Sequence, residues 1–177
     1  MLDKIILGLL QDAPHTAYSL QKAMEASTGF FYGASQGNIN PTLKRLEARN
    51  AISGQTRMVG ARSKVEYSIT RVGQQEFTDW VDGPIDVGRV KDDALVKLFF
   101  LGHADPEQRR IRIEAFRQEL LEHCLQLKLL KADIEKKTAH RQLTEVERFR
   151  LETLNYGIDY YEFTSDWYKA LLERRSL

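Results

Sequence analysis

Apolar positions recur every three or four residues from Leu2 to Met24 and from Ile39 to Leu46. They alternate between Ile52 and Ile69, and from Asp92 onward the helical spacing returns over longer stretches. Leu2, Ile5, Ile6, Leu9 and Leu10 predict an amphipathic first helix, broken at Asp12-Ala13-Pro14. Thr16 can cap a second helix carrying Tyr18, Leu20 and Met24. A third is expected over Ser35 to Asn50, with Ser35 as cap and Ile39, Leu43 and Leu46 as its apolar stripe. Roughly opposite fall Gly37, Asn38, Pro41, Lys44, Arg45 and Ala48, with Asn40 and Thr42 on the flanks. Small residues, amides and cations on one face suit contact with bases and phosphates, although an ordinary solvated helix face has the same composition. Pro41, placed inside this helix, lacks the N–H that would reach the Gly37 carbonyl, so a bend is expected there.

Period two then predicts strands over Ile52 to Val59 and Lys64 to Ile69, joined by a tight hairpin at Gly60-Ala61-Arg62-Ser63. Thr70 is placed to cap a fourth helix through Phe77, Trp80 and Val81. Three helices, a hairpin with a cation at its tip and a further helix make a winged helix-turn-helix. In that fold one helix enters the major groove and the hairpin reaches the adjacent backbone or minor groove. Before the third helix stand Phe30, Phe31 and Tyr32, which cannot all point inward; they serve either as core or as one wall of a small-molecule pocket.

Asp82-Gly83-Pro84 to Gly88 reads as a linker, and Asp92 to Leu101 as a short, very apolar helix. Asp105-Pro106-Glu107 signals the start of a long helix reaching about Arg141. Its seam is Ile113, Phe116, Leu120, Leu127, Leu130 and Ile134, with His123 as the polar position. Thr144 to Glu147 matches a capping box and opens a last helix with two seams. One holds Val146, Phe149, Tyr156, Tyr160, Phe163 and Trp167; the other holds Leu151, Leu154, Ile158, Tyr161, Tyr168 and Leu172. The preceding antiparallel helix covers one seam, and a second subunit is the simplest cover for the other. Tyr156, Tyr160, Phe163, Trp167, Leu154, Ile158 and Tyr161 are therefore the expected dimerisation residues.

Charge sharpens the picture only when it is read locally. The whole chain carries a formal +1, but the window from Gln36 to Arg71 holds seven cations against two anions, a net +5. That window is the natural phosphate-binding surface. The single cysteine, Cys124, excludes an intrachain disulfide and reads as a small buried apolar residue. No stretch reaches membrane length, and the first residues lack a basic leader with a cleavage site, so a soluble cytoplasmic protein is expected. The four histidines show no metal-ligand spacing with one another or with Cys124, and no nucleophile elbow, phosphate loop or zinc-helix motif occurs. Neither an enzyme, a cofactor nor a metal is expected.

Residues 1–80 resemble the PadR family of bacterial transcriptional regulators. The matching pieces are Leu7-Gly8-Leu9-Leu10, Ala17-Tyr18-Ser19-Leu20 and the run from Asn38 to Glu47. After these come Arg62-Ser63-Lys64 ahead of Tyr67, and Ile69-Thr70-Arg71-Val72-Gly73. The family usually has Gly-Tyr at Ala17-Tyr18, and a tyrosine at Asn40 that lies at or near the DNA in relatives, so the resemblance carries no operator sequence across. The helical layout after residue 90, with Val90-Lys91-Asp92-Asp93 running into Leu98-Phe99-Phe100, is similar to the C-terminal domain of the AphA-like subgroup.

The expectation is a mainly α chain with a small β-hairpin: a winged helix-turn-helix over 1–82, a linker over 83–90 and a helical dimerisation domain over 91–177. It predicts a homodimeric regulator, a repressor by preference, on an inverted repeat in double-stranded DNA. Asn38, Asn40 and Lys44 are the candidates for base contacts, with Thr42 beside them. Arg45, Arg49, Arg57, Arg62 and Lys64 are the candidates for phosphate, Arg49 being equally placed for an ion pair at the helix end. The resemblance further implies a phenolic or planar hydrophobic effector, for which Phe30, Phe31, Trp80 and Phe99 could supply a pocket. The rival reading is a dimeric interaction module whose winged helix binds protein.

Overall fold

The computed structural model describes residues 1–32, 38–59, 62–85 and 92–174. Contacts divide the chain into two compact units, Met1–Gly88 and Arg89–Leu177. Among the described residues, no helix is long and apolar enough to cross a membrane.

In the first unit, α1 spans Leu2–Asp12, β1 His15–Thr16, α2 Ala17–Glu25, α3 Ile39–Ala48, β2 Ile52–Val59, β3 Arg62–Ile69 and α4 Arg71–Val81. Leu2, Ile6, Leu7 and Leu10 of α1 meet Leu20, Met24, Ile39, Leu43, Leu46 and Ile52 in one buried cluster. α2 starts at a reciprocal capping box. The Ser19 N–H donates to the Thr16 hydroxyl at 3.1 Å, and the Thr16 N–H donates to Ser19 Oγ at 2.9 Å. The sheet has three antiparallel strands in the order β1-β3-β2. β1, which pairs His15 with Tyr67 and Thr16 with Glu66, has no counterpart in the sequence reading. Two residues are too few to show a period.

How α3 ends decides where the hairpin begins. The N–H groups of Asn50 and Ala51 donate to the carbonyls of Glu47 and Leu46 at 2.8 and 2.9 Å, the two bonds of a Schellman turn. Asn50 takes the left-handed conformation this requires, at φ 57°. The start of α4 is tied to the same turn. Thr70 donates its hydroxyl to the Asn50 carbonyl at 2.6 Å and its N–H to the Ala51 carbonyl at 3.1 Å, while accepting from the Gly73 N–H at 3.2 Å. A Cβ at position 73 would stand 2.1 Å from the Ala51 carbonyl oxygen, so only glycine permits this approach.

The start of α3 differs from the sequence reading, as does that of β3, which opens at Arg62 rather than Lys64. α3 begins at Ile39, with Asn38 as its N-cap and without a side-chain cap bond. Pro41 is therefore in the first turn, where a backbone N–H has no helical acceptor, and the expected broken bond to Gly37 does not arise. Ser35, proposed as the cap, lies outside the described residues, as does Gly37.

In the second unit, α5 covers Asp93–Phe100, α6 Pro106–Thr138 and α7 Glu145–Glu173. Asp92, Asp105 and Thr144 cap them; Asp92 and Asp105 each accept two first-turn N–H groups, and Thr144 accepts from the Glu147 N–H in a second capping box. The Arg141 guanidinium and the Thr144 N–H, both bonded to Glu147, pull its carboxyl down to about 2. α6 and α7 run antiparallel, with Phe116 against Tyr168 (ring centroids 5.0 Å apart), His123 against Tyr161 (5.6 Å) and Leu127 beside Gly157. Cys124, 4% exposed, takes the seam position expected for His123, which is exposed and stacks on Tyr161 from the rim.

Gly73→Ala supplies a test of the stitched junction. Helix propensity alone would favour alanine by about 1 kcal/mol. Overlap with a backbone oxygen should instead destabilise the domain by about 1–3 kcal/mol, read as a lower urea midpoint. An alanine variant as stable as the parent would show that α4 does not sit this close to Ala51.

Candidate nucleic-acid interface

With Ile39, Thr42, Leu43 and Leu46 buried, α3 turns Asn40, Pro41, Lys44, Arg45 and Ala48 outward, and Asn38 is exposed at its cap. Lys44 is exposed and makes no ion pair among the described residues, so its charge is available to a partner. Arg45 is also exposed, but one end of its guanidinium is held: Nη2 donates to Thr42 Oγ1 at 2.9 Å. Thr42 is not the flanking DNA contact the helical wheel suggested. It is 1% exposed and donates its hydroxyl to the Asn38 carbonyl at 2.7 Å, so its polar atom is occupied inside the domain.

The hairpin adds the second part of the surface. Its register sets Arg57 directly opposite Lys64 and Gln55 opposite Glu66. Like charges facing across a ladder destabilise it by tenths of a kcal/mol. Glu66 lessens that cost by pairing with Arg57 at 3.0 Å, while Lys64 remains exposed at the strand end. Arg62 lies in β3, but its side chain is outside the described residues.

Arg49, 39% exposed, is turned toward α1 and α4. Its Nε and Nη2 donate to Glu76 at 3.0 and 2.7 Å, and Nη2 also meets Asp3 at 3.2 Å. Lys4 completes the cluster at 2.8 Å from Glu76. Of the two roles open to Arg49, the ion pair is the one present, and it fastens the end of α3 to α1 and α4. Burial raises the Glu76 carboxyl, but the bonds from Lys4 and Arg49 outweigh it and leave it below the usual glutamate range. The network spans up to 72 residues of sequence and leaves no local pattern that would have announced it.

The residues expected to line an effector pocket are divided between the two units. Phe31 and Trp80 are exposed on the first unit, Phe99 is exposed on the second, and the Phe30 side chain lies outside the described residues. On α7, Val146, Phe149, Tyr156, Tyr160 and Phe163 are exposed, at 43–75%. With Thr153 between them they follow one another at the three- and four-residue spacings of a heptad seam. Trp167, next in that spacing and also expected at a subunit interface, is only partly exposed and packs against the cluster of Ile113, Leu120 and Tyr168. Leu154, Ile158 and Tyr161, also expected at a subunit interface, instead pack with Cys124 and Leu127 of α6, because the intrachain hairpin uses that seam. Among the described residues no group of three His, Cys, Asp or Glu side chains is placed to hold a metal ion.

Residues 6–79 match the transcriptional regulator PadR-like family, and residues 90–175 match the virulence activator alpha C-terminal family. The negative transcriptional regulator PadR of Bacillus subtilis is 28% identical over 139 residues, which cover 77% of this chain and 74% of that protein. Its crystal structure with operator DNA superposes with a TM-score of 0.80 at 24% identity, covering 97% and 96% of the two chains. Its structure with p-coumaric acid gives 0.73 at 24%, covering 97% and 96%. The Vibrio cholerae virulence activator AphA gives 0.74 at 22% identity, covering 98% and 96%. At these identities the structural likenesses establish the fold.

Arg49→Ala should lower stability by about 1–2 kcal/mol, the scale of hydrogen bonds to charged groups at a half-exposed site. It should leave the salt dependence of duplex binding unchanged; a slope smaller by about 0.9 would place Arg49 on a phosphate. Because the Glu76 carboxyl is held low in the folded state, its contribution is present above the ordinary value of 4.5 and fades as pH falls below it. Glu76→Gln should accordingly flatten the acid limb of a melting-temperature-against-pH curve.

Proposed function

Because this chain belongs to the PadR-like family of transcriptional regulators, with an AphA-like C-terminal domain, we propose that it is a homodimeric, cytoplasmic repressor binding an inverted-repeat operator. The family is one of regulators, not enzymes. The assignment divides the chain into a DNA-binding domain over 1–82, a linker over 83–90 and a dimerisation domain over 91–177. The observation that carries it is the outward face of α3, with Asn38, Asn40, Lys44 and Arg45, beside a hairpin that keeps Arg57 opposite Lys64. An anionic partner offsets the repulsion that such a pairing costs the free protein.

In this reading Asn38, Asn40 and Lys44 contact base edges, and Arg45, Arg57, Arg62 and Lys64 contact phosphates. The open α7 seam, centred on Tyr156, Tyr160 and Phe163, meets a second subunit. That contact sets two copies of α3 about one helical turn apart on one side of the duplex. Without a partner, Val146, Phe149, Tyr156, Tyr160 and Phe163 would form a continuous apolar stripe in water, the kind of surface that marks an interaction site. A small aromatic acid is the effector class we propose, since the Bacillus subtilis relative has been crystallised with p-coumaric acid.

Selection from a randomised duplex library, followed by titration at several salt concentrations, tests the reading. Lys44→Ala should weaken binding to the selected duplex by about 1–3 kcal/mol and relax base preference. Binding that does not depend on salt would favour the protein-interaction module instead. Tyr156→Glu with Phe163→Glu alters two side chains 70% and 69% exposed, so the α6–α7 hairpin should fold as before. Sedimentation should show monomers, and affinity for a two-half-site duplex should collapse toward that of one half-site. A double variant that sediments as a dimer would rule out this seam as the interface.

A further inference from the structure

Thr42 is buried, polar and hydrogen-bonded on both sides, and the DNA-binding reading above gives it no part. Its hydroxyl proton is committed to the Asn38 carbonyl at 2.7 Å, so the oxygen can only accept from the Arg45 guanidinium, 2.9 Å away. The direction of the chain is fixed: Arg45 Nη2–H to Thr42 Oγ1, and Thr42 Oγ1–H to the Asn38 carbonyl. Hydrogen bonds arranged in series polarise one another in the same sense. Thr42 is 1% exposed and β-branched, so its hydroxyl has few positions to explore. Arg45, by contrast, is exposed and would otherwise sample many rotamers.

The relay also decides where the charge of Arg45 stands. It draws the guanidinium back over the first turn of α3, where Thr42 and Arg45 line a cleft of about 260 Å³ with Asn38, Pro41 and the start of α1, including Asp3, whose carboxylate is paired with the N-terminal ammonium and Arg49. At that end of the helix the Asn38 side chain makes no cap bond, and the macrodipole is positive. Only one of the five guanidinium donors is spent on Thr42, so among the described residues the rest of the planar fork remains available to two oxygens of one acceptor.

We propose that Thr42 is a positioning residue for DNA binding: it touches no nucleic acid itself but aims Arg45 at a backbone phosphate beside the start of α3. The proposal rests on the DNA-binding reading above and adds a specific dependence to it. A purely structural Thr42 would act on affinity only through folding. A positioning Thr42 acts through Arg45 and through nothing else.

The test is a double-mutant cycle on the full-length protein, with the duplex recovered by selection and an unrelated duplex of equal length as probes. Thr42→Val keeps the shape and removes the acceptor. It should bind both duplexes about five- to tenfold more weakly, the scale of one net hydrogen bond, with a melting temperature no lower than the parent's. Arg45→Ala should lose more affinity and reduce the salt slope by about 0.9, whereas Thr42→Val, which keeps the cation, should change the slope less. In the Arg45→Ala background, Thr42→Val should have almost no further effect; with Arg45 in place, Thr42→Ser should bind as the parent does. The proposal is overturned by any one of three results: undiminished binding by Thr42→Val, the same loss with and without Arg45, or a serine variant as weak as valine. Wild-type protein that binds neither duplex would instead overturn the DNA-binding reading itself.

Discussion

The placement of α3 depends on one short stretch of backbone, the Asn50-Ala51 turn. α3 must stop there, the hairpin must start there, and the cap of α4 is bonded to the same two carbonyls. Left-handed Asn50 reverses the chain, and Gly73 lets a second helix come close enough for Thr70 to serve both segments. The angle between α3 and the hairpin is therefore set by covalent proximity and four hydrogen bonds rather than by side-chain packing alone. Packing then holds it: Ala51 is fully buried and Ile52 nearly so, in the same core as Leu43 and Leu46.

Electrostatics divides the basic window into working parts. Arg49 is committed to Glu76 and Asp3, and Arg57 shares its charge with Glu66. Lys44, Arg45 and Lys64 stay exposed. Counting charges treats all of these residues alike. Geometry separates cations that position the helix from cations that can meet a partner, and the two sets act on binding through different free energies. The first changes stability; the second changes the number of counterions released.

The second unit meets a different constraint. A long helix with apolar side chains on opposite faces cannot satisfy both against a single neighbour. Ile158, Ser165 and Tyr168 are buried in the hairpin with α6, and the heptad-spaced aromatics are left outward. Tyrosine suits such a face, since its ring can be buried at an interface while its hydroxyl still finds water or a partner. α6 is similar, with Leu121, Leu125 and Leu129 exposed on the side away from its α7-facing seam.

Local signals were sufficient for much of this protein. Helical periods, the period-two hairpin, the caps at Thr16, Thr70, Asp105 and Thr144, and the two seams of the last helix were all legible, because each depends on residues within a turn or two of one another. The outward placement of Asn38, Asn40, Lys44 and Arg45 followed from the same periodicity. What the sequence could not decide was set by groups far apart in the chain. Thr42 sits on the boundary of the helical wheel, and only packing of the core turned it inward. Arg49 met Glu76 and Asp3 because three helices converge. Leu154, Ile158 and Tyr161 went to the hairpin, while Tyr156, Tyr160 and Phe163 did not, because one neighbouring helix has room for one seam. Periodicity names the faces of a helix; which face is covered, and by what, is a property of the other elements that pack against it.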